Sequence, residues 1–207
     1  MSLELAFGGG NMTQEPASPY PVNLSVDYPE EERNRLTTFF RLILAIPIRI
    51  IISLLVDNTS VVVLPTLLMI LFRQKYPRWW FDWNLAVNKF GARIWAYLFL
   101  LRDEYPSTDE EQAVHLEIEY PNVPKDLNRW LPLVKWILAI PHYIILIVLS
   151  IAVIVCVIIS WFAILFTGRY PRDLFDFVVG VECWNLRVGA YAFLLTTDQY
   201  PPFRLGE

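Results

Sequence analysis

Charged side chains inside apolar segments are the residues of this sequence most able to do chemistry. Arg49 lies near the middle of the apolar segment 36–56, and a charge at such depth in a membrane is costly enough to indicate a function. The simpler interpretation is that Arg49 snorkels, so that its stem is buried while its guanidinium reaches the lipid headgroups. Arg41 and Lys135 lie nearer the starts of their apolar segments. We expect all three cations to contact lipid phosphate.

Two acidic and two basic residues recur at the same spacing. Asp82 and Arg93 are eleven residues apart, and so are Asp176 and Arg187. Along one helix this spacing is about 16 Å, which is too long for a direct ion pair. If the two helices packed antiparallel, Asp82 would meet Arg187 and Asp176 would meet Arg93. We predict that these pairs join the two halves of the chain; the alternative is that each charge contacts water or lipid.

Histidine is a further candidate. His142 follows Pro141 in the second apolar segment, and a neutral imidazole there could ligate haem or a chlorophyll-type pigment. The other half of the chain has no matching histidine, so a structural role near the membrane interface is the simpler interpretation. His115 falls on the polar side of a predicted strand and is expected in water. Glu182 is an isolated carboxylate in the last predicted helix.

No familiar catalytic motif accompanies these residues. The sequence has no P-loop, no dinucleotide-binding glycine loop, no HExxH motif and no Ser-His-Asp set. Cys156 and Cys183 both lie in apolar stretches, which argues against a disulfide framework and a zinc site. A net charge of -4 without a basic patch argues against nucleic-acid binding. We therefore expect a protein that is not an enzyme and that needs no metal or cofactor, with phospholipid as the molecule its cations would favour.

The candidate residues belong to very apolar segments. Residues 137–166 contain no side chain that is formally charged at pH 7, and about 20 such residues cross the core of a bilayer as a helix. Hydrophobic residues make up 55% of the chain and charged residues 18%, against roughly 45–50% and 25% in soluble domains. The sequence therefore predicts an integral membrane protein. Residues 1–19 lack the pattern of a signal peptide and are predicted to form a flexible tail.

The sequence repeats itself. Ile43–Pro47 matches Ile137–Pro141, and Tyr76-Pro-Arg matches Tyr170-Pro-Arg, in both cases 94 residues further on. Matches at one offset across unlike segments predict two copies of one unit, and two copies imply a pseudo-symmetric pair, as in many membrane proteins. The predicted divisions are a tail (1–19), a first unit (20–106), a linker (107–111) and a second unit (112–203).

Each unit is predicted to contain a short strand, a proline-kinked membrane hairpin and an amphipathic interfacial helix, in a mainly α-helical membrane protein. Alternation of apolar and polar residues before each Tyr-Pro pair predicts the strands. We expect these strands to pair with each other or with a partner's sheet, because one strand alone is unstable. The interfacial helices are predicted at 79–101 and 173–195, where many aromatic residues are interspersed with charges.

The two predicted hairpins differ. The first turns at Asp57-Asn-Thr59 into the segment 59–73, which is shorter than the hydrocarbon core. We therefore expect this hairpin to dip into the bilayer or to thin it; the alternative is that it spans the bilayer. The second has no polar turn; we predict a break near Ser150, with one long helix as the alternative. Pro47 and Pro141 are expected to kink the helices that contain them.

The second unit contains four motifs that can be compared with known families. They are Ile140-Pro-His142, Phe166-Thr-Gly-Arg-Tyr-Pro171, Arg187 to Tyr191, and Asp198-Gln-Tyr-Pro-Pro-Phe203. Together they resemble a bacterial membrane family that is catalogued as a domain of unknown function, over about residues 20–203. The first unit departs from the pattern, since Arg73-Gln-Lys replaces Thr-Gly-Arg and Ile48 replaces His142. The resemblance implies the two-unit organisation and supplies no catalytic residues.

These observations predict a non-enzymatic membrane protein that serves as a scaffold or accessory subunit of a larger membrane complex. One alternative is a lipid-headgroup-binding or small-solute transport module that uses Arg49; another is a haem- or pigment-associated subunit that uses His142. The expected partners are the lipid bilayer and other membrane subunits or further copies of this chain, and not nucleic acid. Basic residues flank both hairpins, so the positive-inside rule predicts a multi-pass protein of the bacterial inner membrane with both termini in the cytoplasm.

Overall fold

The computed structural model describes residues 20–48, 50, 53 and 59–206. This part of the chain is mainly helical and contains one two-stranded sheet, as predicted. The elements in chain order are β1 (Val22–Val26), α1 (Arg35–Phe39), α2 (Arg41–Leu44), α3 (Thr59–Arg73), α4 (Arg78–Leu98), β2 (Val114–Ile118), α5 (Val123–Asp126), a 3-10 turn (Leu131–Leu133), α6 (Lys135–Leu138), α7 (Ile140–Thr167), α8 (Arg172–Gly189) and a π-helical turn (Ala190–Leu194).

The two strands pair with each other, which confirms one of the two predicted arrangements. β1 and β2 are antiparallel, with Val22 opposite Ile118 and Leu24 opposite Leu116. These four apolar side chains are buried, as the alternating pattern requires when one face of a sheet covers the core. His115 lies on the other face and is exposed, as expected.

The strands exchange partners between the two repeats. β1 of the first repeat packs against α8 of the second, and β2 of the second packs against α4 of the first. Equivalent tyrosines repeat the exchange: the Tyr28 hydroxyl donates to the backbone oxygen of Tyr170, and the Tyr120 hydroxyl to that of Tyr76, both at 2.5 Å. Each repeat therefore completes its packing with an element of the other, and the two repeats interlock.

The second apolar segment forms one continuous helix, α7. The predicted break near Ser150 is wrong and the single-helix alternative is confirmed, because the Ser150 hydroxyl donates to the backbone oxygen of Leu146 inside the helix at 2.7 Å. The chain breaks earlier, at Ala139, and Pro141 lies in the first turn of α7. Proline is tolerated there, since the first N–H groups of a helix have no partner in any case. Pro141 therefore starts a helix rather than kinking one.

The first repeat breaks at the equivalent place. α2 ends at Leu44, and residues 46–48 are helical again, so Pro47 also follows a break instead of kinking a helix. The predicted turn at Asp57-Asn-Thr59 lies outside the described residues apart from Thr59, where α3 begins. α3 has 15 residues, or about 22 Å, whereas the 28 residues of α7 are about 42 Å long.

Two helices of the described chain are long and apolar enough to cross a membrane. The first is α7, with a mean hydropathy of 3.2, and it is largely exposed. The second is α8 extended by the π-helical turn to Leu194, with a mean hydropathy of 1.2, and it is mostly buried within the protein. α4, and α8 together with the π-helical turn, begin and end within three residues of the predicted helices at 79–101 and 173–195.

Candidate functional site

Arg41 and Lys135 occupy equivalent positions, because each is the first residue of a short helix that precedes an apolar segment. Both are buried, with 2% and 0% of their surface exposed. Arg41 forms an ion pair with Asp103, and Lys135 Nζ lies 2.7 Å from Asp198 Oδ1. We expected these cations at lipid phosphates; the structure instead pairs each of them with a carboxylate of the same repeat.

Each carboxylate is held by a second bond to the backbone. The N–H of Asn34 donates to Asp103 Oδ2 at 3.2 Å, and the N–H of Asn128 donates to Asp198 Oδ2 at 2.5 Å. Both asparagines also accept backbone N–H bonds from residues that follow them. The two carboxylates are thus fixed in the same way by equivalent turns.

An aromatic ring covers each cation. The Arg41 guanidinium lies 4.4 Å from the centre of the Tyr97 ring, and the Lys135 ammonium lies 5.1 Å from that of Tyr191. Both distances are within the range of cation–π attraction. We call these clusters the first ion-pair site (Asn34, Arg41, Tyr97, Asp103) and the second ion-pair site (Asn128, Lys135, Tyr191, Asp198).

The first ion-pair site contains an additional guanidinium. Arg33 Nη1 lies 3.0 Å from Asp103 Oδ1, and Arg33 also donates to the backbone oxygens of Leu100 and Leu101. Leu127 occupies the equivalent position of the second repeat and is buried. One carboxylate therefore serves two arginines in the first repeat and a single lysine in the second.

Burial sets the electrostatics of both sites. It lowers the pKa of Lys135, while the hydrogen bond and charge of Asp198 act in the opposite direction. Burial likewise lowers the pKa of Arg33, against the attraction of Asp103. Lys135 also donates to the backbone oxygen of Thr197 at 2.6 Å. These contacts compensate the buried charges, so the arrangement is that of structural ion pairs.

The predicted ion pairs between the repeats do not form, and this prediction is wrong. Among the ion pairs of the described residues, neither Asp82 with Arg187 nor Asp176 with Arg93 lies within 4.0 Å. Asp82 pairs with Arg78 on the surface at 3.0 Å, and Arg93 and Arg187 donate to backbone oxygens at 2.6 and 2.9 Å. The reason is geometric, because Asp82 and Asp176 are exposed while Arg187 is fully buried.

His142 is fully buried among aromatic side chains. Its Nδ1 accepts the indole N–H of Trp184 at 3.1 Å, and its ring stacks on Phe203 at 4.0 Å and lies 4.8 Å from Tyr200. Its buried Nε2 has no hydrogen-bond partner in the described structure. A haem or pigment would have to displace these rings to reach that nitrogen.

The remaining predicted residue, Arg49, lies outside the described residues. Among the described ones, no group of three or more His, Cys, Asp or Glu side chains could hold a metal ion. Glu182, which the sequence leaves isolated, borders two adjoining cavities, the first mainly between α4 and α8 and the second mainly between α7 and α8. The sequence did not predict that Glu182 borders a cavity.

Reasoning from sequence also missed the roles of Asp103 and Asp198. A signal was present, because each repeat ends in Asp-x-Tyr-Pro and has a cation 62 or 63 residues before that aspartate, at Arg41 and Lys135. The aromatic part of the motif recurs as well, since Tyr105 packs edge-on against Tyr97 as Tyr200 does against Tyr191, with both pairs of ring centres 5.7 Å apart.

These features define a mainly helical protein that is built from two interlocked repeats and exposes one apolar helix long enough to cross a membrane. A family model described as "Domain of unknown function (DUF4389)" matches residues 35–108 and 130–204. The chain belongs to this family and contains its domain twice, which confirms the predicted internal repeat. No curated protein and no solved structure matches the chain.

Proposed function

We propose that this protein is a non-enzymatic integral membrane protein that acts as a scaffold or accessory subunit of a larger membrane assembly. The observation that carries the proposal is the exposed surface of α7. Every turn of this helix from Ile144 to Phe162 presents apolar side chains to the outside. Those exposed by about half or more are Ile144, Ile147, Val148, Ile151, Ile154, Val155, Ile158, Ile159, Phe162 and Phe166.

Lipid is the environment that suits this surface. A contiguous apolar patch of this kind is rare on a soluble monomer and marks a membrane or protein contact. At about 42 Å, α7 is longer than the roughly 30 Å hydrocarbon core, so it has the length to cross the bilayer with some tilt. Its buried stripe is narrow and includes Leu146, Val153 and Ser160, which leaves most of its circumference for lipid.

A protein partner is supported by α3. At about 22 Å this helix is shorter than the hydrocarbon core, yet it exposes Leu64, Leu68 and Phe72. A short apolar helix in a bilayer is accommodated by local thinning or by association with other protein. Exposed apolar side chains also occur on α1 and α2, such as Leu36 and Ile43. The exposed side of α3 is where we expect the partner.

The lipid-headgroup alternative has less support. Arg41 and Lys135 are already neutralised by Asp103 and Asp198, so a headgroup site would depend on Arg49. We retain the bacterial inner membrane and cytoplasmic termini as part of the proposal. The positive-inside argument for cytoplasmic termini assumed that the basic residues at both ends of each apolar segment lie on one side of the membrane. Because α7 is one continuous helix, the basic residues before and after it lie at its opposite ends, and this argument no longer supports the orientation.

Photo-crosslinking in intact membranes tests the proposal. A benzophenone amino acid in place of Phe72 on α3 should crosslink to another protein, whereas the same probe in place of Ile147 on α7 should crosslink to lipid. Purification in nanodiscs followed by native mass spectrometry then gives the mass of the partner. Lipid adducts at both positions, with a lone monomer in nanodiscs, would contradict the accessory function. Crosslinks of Ile147 to soluble proteins would contradict the membrane location.

A further inference from the structure

Two adjoining clefts flank α8. The first, of about 320 Å³, lies mainly between α4 and α8, and the second, of about 360 Å³, lies mainly between α7 and α8; both volumes are at the lower end of the range for small-molecule sites. Trp95, Glu182 and Asn185 border both of them. The two cavities therefore flank one short polar stretch of α8.

Equivalent residues of the two repeats line the first cavity. Asn88 and Glu182 are 94 residues apart and both border it, and the same holds for Gly91 and Asn185. The cavity thus lies between equivalent positions of the two repeats. The two repeats contribute equivalent positions but different side chains, because Asn88 of the first repeat is an amide where Glu182 of the second is a carboxylate.

The polar groups of this cavity lack a cation. No Lys, Arg or His is among the described residues that line either cavity, and Glu182 forms none of the ion pairs of the described chain. Its carboxyl group interacts instead with the Asn185 side chain. Tyr143 also lines the first cavity, and its hydroxyl is buried and bonds to none of the described residues. Glu182 is thus the one charged side chain among the described residues that line either cavity.

Aromatic rings complete the walls. Trp95 borders both cavities, Phe99 borders the second, and their rings lie 5.1 Å apart. Phe193 of the second repeat borders the first cavity. An ammonium group is attracted both to a carboxylate and to the faces of aromatic rings, and an apolar body attached to it would fill the remaining volume.

We propose that this space, the Glu182 cavity, binds a small organic ammonium ion with an apolar body. Glu182 accepts the charged N–H groups, Asn185 holds the carboxylate in place, and Trp95 packs against the ligand. The inference goes beyond the scaffold function and does not depend on it, because the cavity is formed within a single chain.

Binding of phenethylammonium chloride to the full chain in nanodiscs, measured by isothermal titration calorimetry, tests this site. We expect saturable binding at one site per chain, and at least tenfold weaker binding of the neutral analogue phenethyl alcohol. Glu182→Gln should weaken binding of the cation at least tenfold, because hydrogen bonds to charged groups are the strong ones. The matched control Glu117→Gln changes an exposed carboxylate on β2 and should leave the affinity unchanged.

A swap variant sharpens the test. Asn88→Glu combined with Glu182→Asn moves the carboxylate to the equivalent position of the other repeat and should restore binding to within about threefold. Equal affinity for the cation and the alcohol, or full affinity in folded Glu182→Gln protein, would overturn the proposal.

A measurement on the unmodified protein covers the case in which the variants do not fold. A hydrophobic carbodiimide should modify Glu182, and phenethylammonium should slow this modification at least fivefold. Peptide mass spectrometry reads it as loss of the unmodified Glu182 peptide, so that an amide formed with the ligand's amine also counts as modification. An unchanged labelling rate at saturating phenethylammonium would also overturn the proposal.

Discussion

The two ion-pair sites have the same geometry but different cations. In both, a carboxylate near the end of the repeat meets a buried cation at the start of a short helix, and a tyrosine ring covers that cation. In the first, Asp103 serves two guanidiniums and has 31% of its side chain exposed; in the second, Asp198 serves one ammonium that is fully buried. Equivalent positions of the two repeats are thus held by different cations. The carboxylate of the second site has one cation to pair with, whereas that of the first has two.

Removing the carboxylate should have the largest effect, and a larger one in the second site. Asp198→Ala leaves the Lys135 ammonium buried and unpaired, which should lower the free energy of unfolding by about 3 kcal/mol. Asp103→Ala should cost less, because Arg33 and Arg41 each keep two backbone acceptors whereas Lys135 keeps one, Thr197, and because Asp103 is more exposed than Asp198. Thermal unfolding in detergent measures both.

The control for this comparison is the double variant Lys135→Met with Asp198→Ala. Replacing both charges by apolar groups removes the uncompensated ammonium, so most of the lost stability should return. Equal losses for Asp103→Ala and Asp198→Ala, or no recovery in the double variant, would contradict the difference between the two sites.

Alkaline pH should separate the two sites further. Burial lowers the pKa of Lys135 below its unfolded value of 10.5. Between the folded and unfolded pKa the unfolded chain binds more protons, so this lysine makes stability rise with pH in that window, by at most about 1.4 kcal/mol per pH unit. As the pH approaches 10.5 from below, we expect the free energy of unfolding to rise more steeply in the wild type than in Lys135→Met.

Arg41→Met is the matched variant for this measurement, because guanidinium groups stay charged throughout this range. Its slope should equal that of the wild type. Parallel slopes for Lys135→Met and the wild type would show that the Lys135 ammonium is not the source of the pH dependence.

Two equivalent hydrogen bonds between the repeats should contribute equally to stability. Tyr28→Phe and Tyr120→Phe each remove one hydrogen bond between the repeats, to the backbone oxygens of Tyr170 and Tyr76. Each should cost about 1 kcal/mol, measured by thermal unfolding. A large effect in one variant with none in the other would show that only one of the two exchanged contacts supports the fold.

The smallest effect is expected at the surface. Asp82→Asn removes an exposed i,i+4 ion pair with Arg78, which should change the free energy of unfolding by less than about 0.5 kcal/mol. A loss above 1 kcal/mol would contradict the assignment of Asp82 to an exposed pair of little weight. Asp176→Asn is the equivalent change in the second repeat and should have an equally small effect.

Sequence patterns succeeded where a single segment carries its own signal. The apolar run of α7, the alternation of β1 and β2 and the internal repeat were all predicted correctly. The break near Ser150 was not, because a serine can bond to the preceding turn and remain in a helix. The proposed pairing of Asp82 with Arg187 failed because spacing along one helix does not reveal which face meets a distant helix.

The sequence by itself determined the parts of each repeat: a half-buried strand, an apolar helical segment and a cation followed later by an Asp-x-Tyr-Pro motif. Only the tertiary structure decided that β1 packs on α8, that Lys135 meets Asp198, and that Glu182 borders a cavity. The physical reason is that hydropathy and periodicity depend on neighbours in the chain, whereas these contacts join residues that are tens of residues apart. Their partners are set by how the two repeats bury each other's apolar faces.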